Sequence, residues 1–350
     1  MKSNYRYIVK AFMAMAVIAG TTSCDDFLDR EPMSSISPET YYSTAAQLEA
    51  NLNDEYPNVL PSFGQWTYGI FGEDKGTDNQ IEVNANDRYT QDRWKVPHSE
   101  SDNWKFERIY RINFFLSEAL PKFGEDMSGS QNTISGSVAT IKHYIGEMYF
   151  LRAYEYFKKL QLFGDFPIIN QPLADEMEAL REASKRFPRN EVARFIISDL
   201  DKAYAYMSDV DMATTRINKD AAMLVKSRVA LFEATWLQNF KGTAFVPGGE
   251  GWPGASLHNN YQYPSGNLDN EVKYFLEQAV EASKLVADKY KGNLTENTGV
   301  LQQSADDPSN PYFDMFAQED LSDVKEVLLW RQYARGLSTH NILSLIHISE

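Results

Sequence analysis

The chain has 350 residues, 43% of them hydrophobic, and a formal net charge of −15. That composition is globular, and the length allows one large domain or two. A surface this acidic repels nucleic-acid phosphates and anionic lipid headgroups, which argues against both as partners, and no apolar run reaches the ~18 residues of a membrane span.

The N-terminus reads as an export signal. Lys2, Arg6 and Lys10 make a basic region, Ala11 to Gly20 a short apolar one, and Thr21-Thr22-Ser23 lead to Cys24, the single cysteine of the chain. A lone cysteine here reads as the lipid acceptor of a bacterial lipoprotein, so residues 1–23 would be removed and Cys24 acylated. An intrachain disulfide is impossible with one cysteine, and a metal site needs clustered ligands. The alternative is an ordinary signal peptide with an incidental cysteine, because Thr21 stands where leucine is usual. Residues 24–36 are polar and extended, a tether, and 37–350 form the helical domain.

Ser37-Pro38-Glu39 opens the first helix, with Ser as cap and Pro in the first turn, running to Tyr56-Pro57. Residues 58–100 lack a helical period and read as a long loop. A second helix spans Ser101 to Leu120, stopped by Pro121 and Gly124. A third runs from Ile134 to Phe163, ended by Gly164, with Pro167-Ile168-Ile169 extended. Arg189 to Met207 is amphipathic, Asn218 caps Lys219 to Phe240, and Asp269 to Tyr290 is helical. Residues 241–266 form a second loop, rich in Gly, Pro, Asn and aromatics. Phe313 to Tyr333 reads as helix then strand. Helices of about 20 residues joined by turns predict a mainly α fold of stacked, tetratricopeptide-like hairpins, although no strict repeat is visible.

Catalytic signatures are absent: no zinc-protease helix, no Gly-x-Ser-x-Gly elbow, no phosphate loop and no dinucleotide fingerprint. His143 and Glu147, four apart on a helix, could share a metal, but without a third ligand they read as a polar pair. Among 49 acids no carboxylate couple stands out as a glycosidase pair. The loop aromatics are more informative, because sugar C–H faces stack on rings while their hydroxyls pair with Asn, Asp and Arg. Trp66, Trp94 and Trp252 are therefore candidate stacking residues, and Asp78, Arg93 and Asn103 candidate hydrogen-bonding residues. The competing reading is that these rings pin the loops to the helices.

Several segments together resemble the SusD/RagB family of outer-membrane nutrient-binding lipoproteins. Cys24-Asp25-Asp26-Phe27-Leu28-Asp29 with Pro32 resembles the mature N-terminus. Trp104 with Ile109-Tyr110-Arg111-Ile112-Asn113 is similar to the next helix. Gly146-Glu147-Met148-Tyr149-Phe150-Leu151-Arg152-Ala153, Tyr156-Phe157 and Leu162-Phe163-Gly164-Asp165-Phe166-Pro167 resemble the most recognisable block. Arg189-Asn190-Glu191-Val192 and Arg216-Ile217-Asn218-Lys219 continue the likeness. The resemblance implies a right-handed stack of tetratricopeptide-like helix pairs with ligand-binding loops, no catalysis and no cofactor. It implies a glycan ligand, a SusC-type TonB-dependent outer-membrane transporter as partner, a lipid anchor at Cys24, and export to the cell surface signalled by Asp25-Asp26.

Family members run longer, so the expectation is an incomplete domain whose C-terminal part is missing, with final residues that look foreign to it. Two other functions stay open: a surface glycan-degrading enzyme, and a structural transporter partner without a ligand of its own.

Overall fold

A computed structural model describes residues 41–61, 103–124, 126–208, 212–301, 304 and 306–332. The chain divides after Tyr41, and everything below belongs to the unit that begins at Tyr42. Its helices are α1 (Ala45–Val59), α2 (Glu107–Phe123), α3 (Val138–Phe163), α4 (Met177–Ala183), α5 (Arg189–Tyr206), α6 (Lys219–Asn239), α7 (Leu268–Tyr290) and α8 (Pro311–Ala317). Among the described residues there is no strand. Two isolated bridges occur, Thr44 with Ser135 and Phe166 with Phe187. No described helix is long and apolar enough to cross a membrane.

The centre of the stack is α3. Ser137 caps it by accepting from the Thr140 N–H, and Gly164 ends it at φ 66°. Between Ile141 and Leu160 its buried residues point in every direction, which is the pattern of a helix enclosed by others. It packs against α1, α2, α5 and α6, and the chain then adds α6 on α5 and α7 on α6. Ile141, Ile145, Phe150 and Tyr156 of α3 meet a core that includes Leu48, Ile112, Phe115, Val192, Ile196 and Val229. Each such side chain contributes roughly 1.5–3 kcal/mol by leaving water. The mainly α, hairpin-stacked expectation therefore holds.

Boundaries differ where caps decide them. The helix that ends at Val59 starts after Thr44, whereas the expected opening at Ser37-Pro38-Glu39 lies outside the described residues. Thr44 and Gln47 form a capping box, and residues 41–44 are bends and a bridge. Pro57 lies inside its last turn. The second helix starts at Glu107 because residues 103–106 pack a ring cluster instead: Trp104 meets Phe106, Phe163 and Phe166 at 4.9–5.6 Å. Pro121 does not stop this helix; it sits in the final turn, and Gly124 closes it. The short α4 has no buried residue and so no periodic signal. The strand expected before Tyr333 is absent: residues 326–332 are irregular, without a neighbouring strand among the described residues.

Candidate functional site

Of the residues singled out by sequence, Cys24, Trp66, Asp78, Arg93 and Trp94 lie outside the described residues, as does most of the 58–100 region. Asn103 sits in an exposed turn, where its carbonyl accepts from Lys159 Nζ at 2.7 Å. Trp252 is buried, 4% exposed, and its Nε1–H donates to Asp165 at 2.8 Å. Its ring is flanked by His258 and Tyr261. In this arrangement Trp252 pins its loop, and no open face is left for a sugar. Both residues nevertheless border one corner of the fold. Trp104, next to Asn103, meets Phe166, next to Asp165, edge to face, and carries the Arg186 guanidinium 4.5 Å from its ring centre. The Arg186 carbonyl lies 2.8 Å from His258 Nε2 of the 241–266 loop.

That loop is fastened over a row of buried charges. Arg189 forks onto Glu233 at 2.9–3.0 Å, and its guanidinium lies 4.1 Å from the Trp236 ring centre. Glu271 accepts from Arg194 at 2.7 and 2.8 Å and from Asn190 at 3.0 Å, and Tyr261 bonds Asn190. Burial pushes the Asp165 and Glu233 carboxyls up from their ordinary values, against the pull of Trp252 and Arg189. Burial also raises Glu271, but there the hydrogen bonds from Arg194, Asn190 and Ser265 outweigh it and leave the carboxyl lowered. These groups are engaged with one another. At the loop's outer edge Phe245 is exposed, beside Phe240 and Trp236, whose Nε1–H donates to the Phe245 carbonyl.

The roomier place is elsewhere. A cleft of about 780 Å³ opens between the C-terminal end of α1, the middle of α3, the start of α6 and residues 326–332. Phe150 and Tyr154 stack at its floor, 6.2 Å apart and nearly parallel. Tyr56 and Trp330 add rings to the walls, and Asn53, Thr215, Arg331 and Gln332 supply polar groups. A cleft of this volume, ring-lined with a polar rim, is the usual form of a small-ligand site. Sequence reading missed it because Tyr56 and Tyr154 fall inside helical periods and Trp330 inside the apolar run Val327-Leu328-Leu329. The one available signal was a tryptophan directly before Arg331-Gln332.

His143 and Glu147 form a buried pair, Nε2 to Oε1 at 3.1 Å. Glu147 also takes Arg216 at 2.7 and 3.0 Å and the Tyr56 hydroxyl at 2.6 Å. The carboxylate is thus held by protein donors in an interhelix cluster, as the polar-pair reading expects. Among the described residues no three His, Cys, Asp or Glu side chains gather as a metal site.

A stack of helix hairpins with a ring-lined cleft, four of its buried carboxylates paired with arginines, defines a helical scaffold that can hold a small ligand. Its family follows from comparison. A SusD-like family model, described as starch-binding and associating with the outer membrane, matches residues 26–231. This is more than half of the chain, and the chain belongs to the SusD-like family. One SusD-like protein of Formosa agariphila is 25% identical over 61% of this chain and 41% of its own length. Another from the same organism is 25% identical over 69% of this chain and 46% of its own. The crystal structure of a SusD-like carbohydrate binding protein from Bacteroides fragilis is 16% identical, covers 74% of this chain and 43% of its own, and superposes with a TM-score of 0.43. The chain spans less than half the length of the curated relatives it matches.

Proposed function

We propose that this protein captures glycans at the outer face of the outer membrane, held there by acylated Cys24, and passes them to a SusC-type TonB-dependent transporter without making or breaking a bond. The family match over residues 26–231 carries the reading, since that family is described as starch-binding and associated with the outer membrane. The ring-lined cleft adds support, because a pyranose offers an apolar face to rings and hydroxyls to a polar rim. A non-catalytic role fits the state of four of the buried carboxylates: Glu147, Asp199, Glu233 and Glu271 each face an arginine. Such acids are poorly placed to donate or take a proton from a substrate.

Native electrophoresis of the full chain through gels containing starch, other neutral glucans or no polysaccharide tests this. Retarded migration with at least one glycan, and no new reducing ends in solution, is the expected outcome. Release of reducing ends that disappears in one carboxylate variant would replace the reading by a glycan-degrading enzyme. Co-purification with a SusC-type barrel by protein that binds no glycan on an array would leave a structural partner.

A further inference from the structure

One wall of the 780 Å³ cleft belongs to no helix. Residues 326–332 run across it in irregular conformation, fastened in the middle by three hydrogen bonds. The Trp330 N–H donates to the Thr214 carbonyl at 3.2 Å and its Nε1–H to Thr214 Oγ1 at 2.9 Å. Asn218 Nδ2 donates to the Leu328 carbonyl at 2.6 Å. All three end on residues 214–218, which lead into α6.

Those residues are themselves tied to α1 and α3. Arg216 forks onto Glu147 through Nε and Nη2 at 3.0 and 2.7 Å, and its Nη1 reaches Asn53 at 3.0 Å. The Tyr56 hydroxyl donates to Glu147 and accepts from the Ile217 N–H at 2.9 Å. His143 Nε2 lies 3.0 Å from the Ile217 carbonyl. Glu147 is the hub, and with 0% exposure it has no water to fall back on if a partner leaves. Trp330, partly exposed and lining the cleft, is the far end of this chain of contacts.

We propose that Glu147 is a positioning residue. Through Arg216 and Tyr56 it fixes residues 214–218, and through them it holds Trp330 at the cleft, where the indole stacks on a pyranose ring. The stacking half rests on the glycan-capturing reading, whereas the strut from Glu147 to Trp330 does not. With Nε1–H committed to Thr214, the ring orientation is set before a ligand arrives, so less side-chain freedom is lost on binding.

Fluorotryptophan incorporated in the full chain gives a fluorine NMR signal for each of its 6 tryptophans, and Trp330→Phe assigns one of them. Glu147→Gln and Thr214→Val should each move the Trp330 line while leaving those of Trp104 and Trp252 in place. Both should weaken binding of soluble starch oligosaccharide about two- to ten-fold, the size of one lost ring stack. Arg216→Lys keeps the charge but not the fork, and should move the line less than Arg216→Met. Thr214→Val leaves the buried hub untouched, so it tests the far link even where Glu147→Gln does not fold. An unmoved Trp330 line in folded Glu147→Gln, or in Thr214→Val, overturns the strut. A moved line with unchanged affinity overturns the stacking role. A moved line in a protein that never binds starch oligosaccharide leaves the strut standing and refutes the glycan reading.

Discussion

Glu147, Asp199, Glu233 and Glu271 are buried, and each meets an arginine: Arg216, Arg152, Arg189 and Arg194 in turn. Removing one partner from such a pair strands a charge and typically costs about 3–5 kcal/mol. Two of the four respond to protons in opposite senses. Burial dominates at Glu233 and raises its carboxyl, whereas at Glu271 the donors Arg194, Asn190 and Ser265 overcome burial and lower it from 4.5. A carboxyl lowered in the folded state stabilises the fold above its unfolded value, and that stabilisation is lost as pH falls through the lower, folded value. Glu271→Gln should therefore be clearly less stable than the wild type at about pH 6, and the gap should shrink as the pH is taken below about 4.5. Urea unfolding at a series of pH values checks this. A gap that stays constant across the series would mean that Glu271 titrates alike in folded and unfolded chains. Several of the residues that carry the family resemblance belong to this same layer. Arg152 forks onto Asp199 at 2.6 and 2.8 Å and reaches Asn113 at 2.8 Å, while Asp165 caps the start of α5 by accepting from the Arg189 N–H at 2.9 Å. These side chains hold helices together, whereas Phe150, from the same recognisable block as Arg152, lines the cleft.

The crossing of α3 on α5 depends on Gly146. A Cβ there would lie 2.8 Å from the Met207 nitrogen and 2.9 Å from the Ala203 carbonyl, backbone atoms that cannot rotate aside. In an isolated helix alanine is favoured over glycine by ~1 kcal/mol. Overpacking at a tight crossing typically costs about 1–3 kcal/mol, so Gly146→Ala should lower the thermal midpoint despite its better propensity. A raised midpoint in calorimetry would show that α5 can shift outward without loss. Helices of this kind were legible from apolar spacing and caps: Asn218 starts α6 as its sequence indicates, and α5 begins at Arg189 as expected. What was not legible were starts set by less obvious caps, such as Thr44 with Gln47. The 326–332 segment misled for a different reason. Its apolar run has strand composition, but its hydrogen bonds go to a helix-entry turn. One wall of the cleft is held by the contact of Trp330 with Thr214, 116 positions apart in sequence, and no local pattern encodes that meeting. Of the loop candidates, Trp252 shows why a ring in a Gly-rich loop is ambiguous. The same apolar surface that could stack on a sugar is here spent on burial, with its one polar atom satisfied by Asp165.

At the scale of the whole molecule, attachment and charge work against each other. With a net charge of −15, which loss of the proposed leader with Lys2, Arg6 and Lys10 would make more negative, the domain is repelled by anionic headgroups. Electrostatics therefore does not favour a membrane, and under the proposed function retention would rest on acyl chains at Cys24 or on the proposed transporter. A single acyl chain binds a bilayer only marginally, with an association constant of about 10⁴ M⁻¹, so a stable anchor needs more than one chain or a second contact. Cys24→Ala removes the acceptor and should abolish fatty-acid labelling of the protein. It should also move the protein from the outer-membrane fraction to the soluble fraction after a low-salt wash. Wild-type protein should stay with the membrane at both low and high salt, because screening weakens charge repulsion and leaves acyl insertion intact. Glycan retardation in native gels should be the same for both, since the cleft is built from residues 53–332. If the alanine variant stays membrane-bound without label, the transporter alone retains it. If the wild type carries no label at all, Cys24 is incidental to an ordinary export signal.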